Sequence, residues 1–360
     1  MYLILHWLLW GLVVLWRFIA VNELRIVLRI VKVKRGEKVC GVCSVRYDGG
    51  MGFMILMLAG WLLVVLIVTG GFVWRLRHPK RKTYAVALGR GDAVEPGDLG
   101  LVGEMVRFDL GDAGMTDGWV IEGGKSDGDT VVMVHGYGDS KYGLLGWAKV
   151  VCDLKVARRV VVYDQRGQGE SEGRRCDLGV REPGDVRRVI EQLAGWQEGE
   201  GVVLYGCSMG GGTALEAGRV MCEAGEKRLK GVIVDGPYRL WDEPVRNVMK
   251  LKKYPTWPIV TLGGYLLNWQ LGGGLYRIDR VADAAGLGVP LLVLHGTADR
   301  VCRFESGEAV AAAAKDGEIV GFEGTGHLEL LEVDTERYRG AVKGFFEKLA
   351  GVGDNGRAGN

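Results

Sequence analysis

Apolar and polar positions follow two regimes along the chain. Up to about residue 76 the apolar residues come in long unbroken runs, Tyr2 to Trp16 and Phe53 to Trp74. From about residue 100 they come in short β-branched bursts separated by amphipathic stretches. Val102 to Leu110 and Trp119 to Ile121 read as an opening antiparallel hairpin. Strand-like runs follow at 130–134, 160–163, 202–205, 231–234, 290–294 and 318–322, with helix-like stretches at 185–196, 212–224, 306–314 and 335–349. Such alternation predicts an α/β fold with a mostly parallel central sheet and helices on both faces.

The run from Phe53 to Trp74 holds 22 residues without a charge, enough to cross a hydrocarbon core of about 30 Å as a helix. RLRHPKRK follows it as a basic interfacial flank. Tyr2 to Trp16 is short for a span, carries His6 and is stopped by Arg17, and it lacks the basic start and small-residue cleavage site of a signal peptide. The stretch LRIVLRIVKVKRGEK after it is either a surface lying on anionic lipid or a solvated linker. Met51 begins a self-sufficient anchor and domain. The expected layout is thus an N-terminal extension at 1–50, a transmembrane helix at 51–76, a basic linker at 77–99, the α/β domain at 100–350 and a disordered tail at 351–360. Arg75, Arg77, Lys80, Arg81 and Lys82 argue for a single-pass anchor with the domain on the cytoplasmic side. If Tyr2 to Trp16 also spans, the seven cations between Asn22 and Gly50 would send the domain outside.

Composition narrows the function classes. The chain is 48% apolar and 25% charged, with a net charge of +2, so a full core is available and no basic footprint points to nucleic acid. Cys40 and Cys43 form a lone C-x-x-C without a second pair, and no cluster has metal-ligand spacing. The other five cysteines lie in apolar surroundings and read as reduced core thiols.

In parallel sheets the chemistry collects at the carboxyl ends of strands. Those ends carry His135-Gly136-Tyr137-Gly138, the run Asp164 to Ser171, Gly206-Cys207-Ser208-Met209-Gly210, Asp235-Gly236, His295 to Asp299, and Gly324 to His327. Glycine is 59 of 360 residues and serine only six, so a G-x-S-x-G arises by chance in about one such chain in six and needs its context. Here Val202 to Tyr205 precedes it as a strand and Thr213 to Ala217 follows as a helix. Ser208 therefore falls on a strand-to-helix turn, with unpaired helix N–H groups aimed at its side chain.

From about residue 100 to 350 the chain resembles the α/β-hydrolases, in particular their serine-aminopeptidase-like and lysophospholipase-like branches. The resemblance rests on the HG after the first parallel strand, D-x-R-G-x-G-x-S, G-x-S-x-G, HG-x-x-D and the late G-H, all in order. It implies a nucleophile, acid and base in the order Ser208, Asp299, His327, with Asp235 as rival acid. It also implies an oxyanion hole from the backbone N–H groups of Tyr137 and Met209. His135 and His295, in strand-end HG pairs, take structural roles. Asp164, Arg166 and Ser171 read as an arginine-centred network supporting the elbow, and Glu182 and Asp185 as residues serving a helix N-terminus.

The segment at about 237–288 is longer than a crossover requires, and the resemblance places a small cap there. Trp241, Tyr254, Trp257, Tyr265 and Trp269 crowd into it, suited either to a lipophilic pocket or to plain packing. The expected function is a membrane-anchored serine hydrolase that cleaves a carboxylic ester through an acyl-enzyme and requires no cofactor. Its expected partners are a small acyl substrate, a lipid among the candidates, and the membrane. Acyl transfer, or amide or thioester hydrolysis, would use the same residues; a tethered, non-catalytic binding protein is the alternative from another class.

Overall fold

The computed structural model describes residues 25–34, 37–46 and 49–357, with side chains from 52 to 351. The expected first apolar run, Tyr2 to Trp16, lies outside the described residues. Two compact units emerge, Met1–Val68 and Thr69–Asn360.

In the first unit, β1 (Arg25–Lys34) and β2 (Glu37–Arg46) form an antiparallel hairpin in which Cys40 stands opposite Val31 and Cys43 opposite Leu28. The basic-apolar stretch is thus strand, in keeping with its β-branched content. A helix, Gly49–Arg77, then runs across the unit boundary. Its segment Gly52–Arg77 is, among the described residues, the one helix long and apolar enough to cross a membrane; its 26 residues span about 39 Å at 1.5 Å per residue. Large apolar side chains from Phe53 to Ile67 are exposed on it, as expected of a helix that is apolar on all sides.

In the second unit the short helix Tyr84–Arg90 precedes an eight-stranded sheet. Its strands are β3 (Gly103–Asp109), β4 (Met115–Glu122), β5 (Gly124–Val134), β6 (Ala157–Tyr163), β7 (Val202–Cys207), β8 (Leu229–Asp235), β9 (Leu291–Gly296) and β10 (Gly317–Phe322). The order is β10-β9-β8-β7-β5-β6-β4-β3, with β4 antiparallel to both neighbours and all other pairs parallel. The central strands are continuous apolar runs because both faces are covered, and the period of two divides each run between two cores. Val132, Val134, Val161, Leu204, Val232 and Val293 pack on one face; Val131, Met133, Val162, Val203, Ile233 and Leu294 pack on the other. The helix Leu145–Asp153, not legible as a separate run, covers the second face through Leu145, Ala148 and Val151. The last helix, Thr335–Arg357, reaches into the segment read as a disordered tail, since no proline stops it.

Two sequence expectations change. Asp185 does more than serve a helix N-terminus: its two oxygens take Arg166 Nε at 2.6 Å and Nη2 at 2.7 Å, a bidentate pair. Glu182 accepts from the backbone N–H groups of Asp177, Gly179 and Arg181. Arg77, Arg81 and Lys82 are also more than a membrane flank. Arg77 is buried, donates to Cys176 O at 3.1 Å and pairs with Asp177; Arg81 donates to the carbonyls of Ser171 and Gly173; Lys82 pairs with Asp92 and Asp139.

Asp177 is shared, with its other oxygen taking Arg166 Nη1 at 2.8 Å. Replacing Arg166 with alanine would strand Asp185, nearly fully buried, without its cation and leave buried Asp177 with Arg77 and a longer contact to Arg181 at 3.4 Å. Arg166→Ala is expected to cost about 3–5 kcal/mol, the usual scale for breaking a buried ion pair. A shift of the denaturant midpoint of the full chain in detergent checks this; a loss below about 1 kcal/mol would assign the network a surface-like role.

Candidate active site

The site sits where the sheet order reverses. β5 lies between β6 and β7, so the loops leaving β5 and β7 diverge and open a crevice at their carboxyl ends. Ser208 ends β7 at φ 51° and ψ −116°, and the helix Met209–Glu223 begins at the next residue. The left-handed φ is costly for serine and is maintained by the surrounding packing. Glycine is required on either side of it. A Cβ on Gly206 would overlap the backbone of Gly210, and one on Gly210 would overlap the carbonyl of Val134.

His327, after β10, places Nε2 3.0 Å from Ser208 Oγ and Nδ1 2.6 Å from Asp299 Oδ2. Asp299 is fixed from the other side, where Oδ1 accepts Val301 N at 2.8 Å and Cys302 N at 2.9 Å. Burial alone would raise its carboxyl pKa. Hydrogen bonds from His295, His327 and Val301 N–H outweigh that and hold it well below the usual carboxylate range. An ionised Asp299 keeps the proton of His327 on Nδ1, leaving Nε2 to accept from the serine.

The residues expected to donate to an oxyanion lie beside this line. Gln165 N donates to His135 Nε2 at 3.0 Å, so His135 carries its proton on Nδ1, 2.7 Å from Gly136 O. Pinning that carbonyl points the N–H of Tyr137 the opposite way, because the peptide between them is trans. Gln168 Oε1 accepts Gly138 N and fixes the rest of the loop. A Cβ on Gly136 would stand 3.5 Å from Ser208 Cβ, so the loop lies against the elbow. Neither Tyr137 N–H nor Met209 N–H has an acceptor among the described residues. Two unpaired donors beside a serine hydroxyl suit a developing oxyanion.

Asp235, the rival acid, makes no hydrogen bond with His327, whose two ring nitrogens meet Asp299 and Ser208. Its Oδ2 accepts from Tyr338 Oη at 2.9 Å, with Trp147 Nε1 at 3.4 Å. His295, like His135, is structural, its Nε2 2.9 Å from Cys302 O. All five cysteines of the second unit are free thiols, four of them buried. Among the described residues no group of three or more His, Cys, Asp or Glu could hold a metal ion.

A cavity of about 640 Å³ opens beside Ser208 and His327. Its floor includes Met209, Tyr238, Val301 and Leu328; the cap contributes Trp241, Val245, Val248, Met249 and Tyr254. Of the five cap aromatics, Trp241 and Tyr254 therefore face the cavity, while Trp257, Tyr265 and Trp269 face outward. Sequence reasoning missed a third wall made by Phe72, Arg75 and Leu76, the last turns of the long apolar helix. Tyr137 binds this wall in place, its Oη donating to the carbonyls of Arg75 at 3.1 Å and Leu76 at 3.0 Å. The apolar face of that helix end was visible in the sequence, but nothing in it distinguished lipid contact from cavity wall.

A family model described as the alpha/beta hydrolase family matches residues 131–341. The chain belongs to the alpha/beta hydrolase family. An uncharacterized protein of Bacillus subtilis, YqkD, is 23% identical over 224 residues, 61% of this chain and 72% of the relative. An esterase of Pyrococcus furiosus shares the fold at a TM-score of 0.59 and 19% identity, covering 77% of this chain and 98% of its own. A bacterial membrane phospholipase A does so at a TM-score of 0.52 and 20% identity, covering 84% of this chain and 99% of its own. For this alpha/beta hydrolase the two structural likenesses speak to the fold.

Burial in an apolar setting raises the pKa of the Asp235 carboxyl to about 6, against an ordinary value near 3.8. A carboxyl whose pKa is raised on folding favours the folded state while protonated, so its contribution is lost as pH rises from about 4 to about 6. Asp235→Asn keeps an acceptor for Tyr338 and removes the titration. Above pH 6 the variant is expected to gain on the order of 2–3 kcal/mol over the native chain, and its stability should fall less across that window. Denaturant midpoints at pH 4, 5, 6 and 7 check it; parallel curves would refute the assignment.

Proposed function

We propose that the protein is a membrane-anchored serine hydrolase that cleaves a carboxylic ester of a lipophilic acyl group through an acyl-enzyme on Ser208. The observation that carries this reading is the continuous hydrogen-bonded line from Asp299 through His327 to Ser208, ending at an apolar cavity beside two unpaired backbone donors. In this mechanism His327 Nε2 removes the Ser208 proton as Oγ attacks the ester carbonyl. The carbonyl oxygen gathers charge against Tyr137 N–H and Met209 N–H. The tetrahedral adduct collapses, His327 protonates the departing alkoxide, and the alcohol leaves. Water then attacks the acyl-enzyme, giving its proton to His327, and the acid is released with Ser208 restored. Asp299 holds the imidazole in one tautomer and stabilises the imidazolium.

The cavity supports the substrate class. It falls within the usual range of small-molecule sites, about 300–1,000 Å³, and its walls are mostly aliphatic and aromatic. A fluorophosphonate probe is expected to label the native chain and fail on Ser208→Ala, with hydrolysis of acyl esters of graded length lost in parallel. Asp299→Asn should reduce turnover by about 10⁴ while Asp235→Asn stays near normal, the scale set by loss of an orienting acid. Labelling of Ser208→Ala, or the reverse ranking of the two aspartates, would sink the assignment.

The anchor is proposed as a single pass over Gly52–Arg77, with the domain on the cytoplasmic side. Once Arg77, Arg81 and Lys82 are counted as contacts of the fold, that side rests on exposed Arg75 and Lys80. Protease added to intact cells is expected to spare the domain until the membrane is permeabilised; digestion beforehand overturns the orientation.

A further inference from the structure

The cap carries an uncharged stretch that the catalytic reading does not use. From Tyr254 to Tyr276, 23 residues, there is no Asp, Glu, Lys or Arg, although a quarter of the chain is charged. Lys250, Lys252 and Lys253 precede this stretch and Arg277 follows it. It contains the helix Ile259–Gln270. Val260, Gly263, Gly264 and Leu267 are buried on one side of that helix; Leu262, Tyr265 and Trp269 stand out on the other, 41%, 64% and 77% exposed, with Trp257 71% exposed just before it. Aromatics that large, uncovered on an uncharged helix with basic flanks, have the composition of an interfacial membrane element.

Its neighbour determines what covers it. A Cβ on Gly263 would stand 2.8 Å from the Phe72 ring and 3.4 Å from Val73. Leu267 belongs to the same buried cluster as Val73, and Gln270 Oε1 accepts from Arg77 Nη1 at 3.3 Å. Contacts that advance together, from Gly263 with Phe72 to Gln270 with Arg77, make the two helical segments run side by side in the same sense. The start of the cap helix, Trp257 to Leu262, is then the end nearer Phe72, and its other end is the one nearer Arg77. Trp74, 61% exposed, is a further aromatic on the emerging end of that helix.

We infer that the outer face of Ile259–Gln270 is a second membrane-binding element, seated in the lipid headgroup and acyl boundary beside the anchor. The inference rests on reading Gly52–Arg77 as a membrane span. The occupant is the bilayer that this span requires, because the cap helix packs on the span's last turns and its own exposed face continues their apolar surface. Phe72 both packs on this helix and lines the cavity. Seating the helix therefore sets the cavity beside the lipid, where an acyl ester can pass in without crossing water.

The experiment uses the full chain reconstituted in lipid vesicles, with Cys40→Ser, Cys43→Ser and Cys222→Ser leaving only the four buried thiols Cys152, Cys176, Cys207 and Cys302. A bimane label is placed at Leu262→Cys, Trp269→Cys or, as control, Glu347→Cys on the last helix, whose side chain is 65% exposed. Vesicles carry nitroxide-labelled phospholipid, and flotation confirms incorporation. For an element seated about 5–10 Å into the boundary, emission loss at Leu262 should exceed that at Glu347 by about threefold or more, with Trp269 intermediate. Chains that float yet show equal loss at all three positions overturn this inference and leave the anchor standing. Chains that do not float overturn the anchor and the inference with it. Cross-linking of the Trp269→Cys variant to a second copy, with no nitroxide effect at Leu262, overturns it in favour of a dimer contact.

Discussion

Asp177 takes Arg77, from the end of the long apolar helix, on one carboxylate oxygen and Arg166, from the loop after β6, on the other, which Arg181 also reaches at 3.4 Å. Much of the second unit depends on that shared carboxylate. Arg166 is pinned in turn by Asp185 at the start of the helix Glu182–Gln192, so the loop, that helix and the end of the long apolar helix are fixed to one another. Each of these groups would be expensive to bury alone, and together they satisfy one another's hydrogen bonds. The consequence reaches the cavity: with Arg77 held, Phe72 and Leu76 are placed as its wall, and Tyr137 caps the carbonyls of Arg75 and Leu76. The same residue that offers a backbone donor toward Ser208 thus also senses the end of the apolar helix through its side chain.

A second constraint is steric. The chain turns from β7 into the helix Met209–Glu223 so tightly that Gly206 has no room for a Cβ against Gly210, and passes so close to the end of β5 that Gly210 has none against Val134. That close approach brings Ser208 beside Gly136 and sets the strained φ of the serine. Two strand ends thereby position the hydroxyl and the facing loop, while the segments after β9 and β10 bring Asp299 and His327. The sheet fixes Ser208, and Asp299 and His327 are delivered on loops.

What the sequence made legible follows from what is local. The strands from β5 to β9 were visible because most of their residues are buried on both sides, which leaves continuous apolar runs; β10, at the sheet edge, showed only a short apolar run. Ser208, Asp299 and His327 were legible because each closes or follows a strand in a short motif, and strand ends converge in this kind of sheet. The helix Leu145–Asp153 was not, because only nine residues separate the loop before it from the next turn and no cap marks its start. The partners of Arg166 were equally hidden: Asp177 and Asp185 lie eleven and nineteen positions away, and nothing local distinguishes a carboxylate that serves a helix end from one that receives a guanidinium.

The cations after Trp74 show why such long-range pairing matters for reading membrane topology. A lysine or arginine biases orientation through the cost of carrying a free charge across the bilayer. Arg77 reaches Asp177, and Lys82 reaches Asp92 and Asp139, once the domain has folded. The composition of the flank is therefore explained by its pairing in the finished fold, with no need of a part in insertion. The aromatic residues of the cap divide by the same reasoning. Trp241 and Tyr254 face the cavity while Tyr265 and Trp269 stand on the outer side of the next helix, so one crowded stretch of sequence serves two surfaces. Composition places aromatics in the cap; only the neighbours of each helix determine which surface they meet.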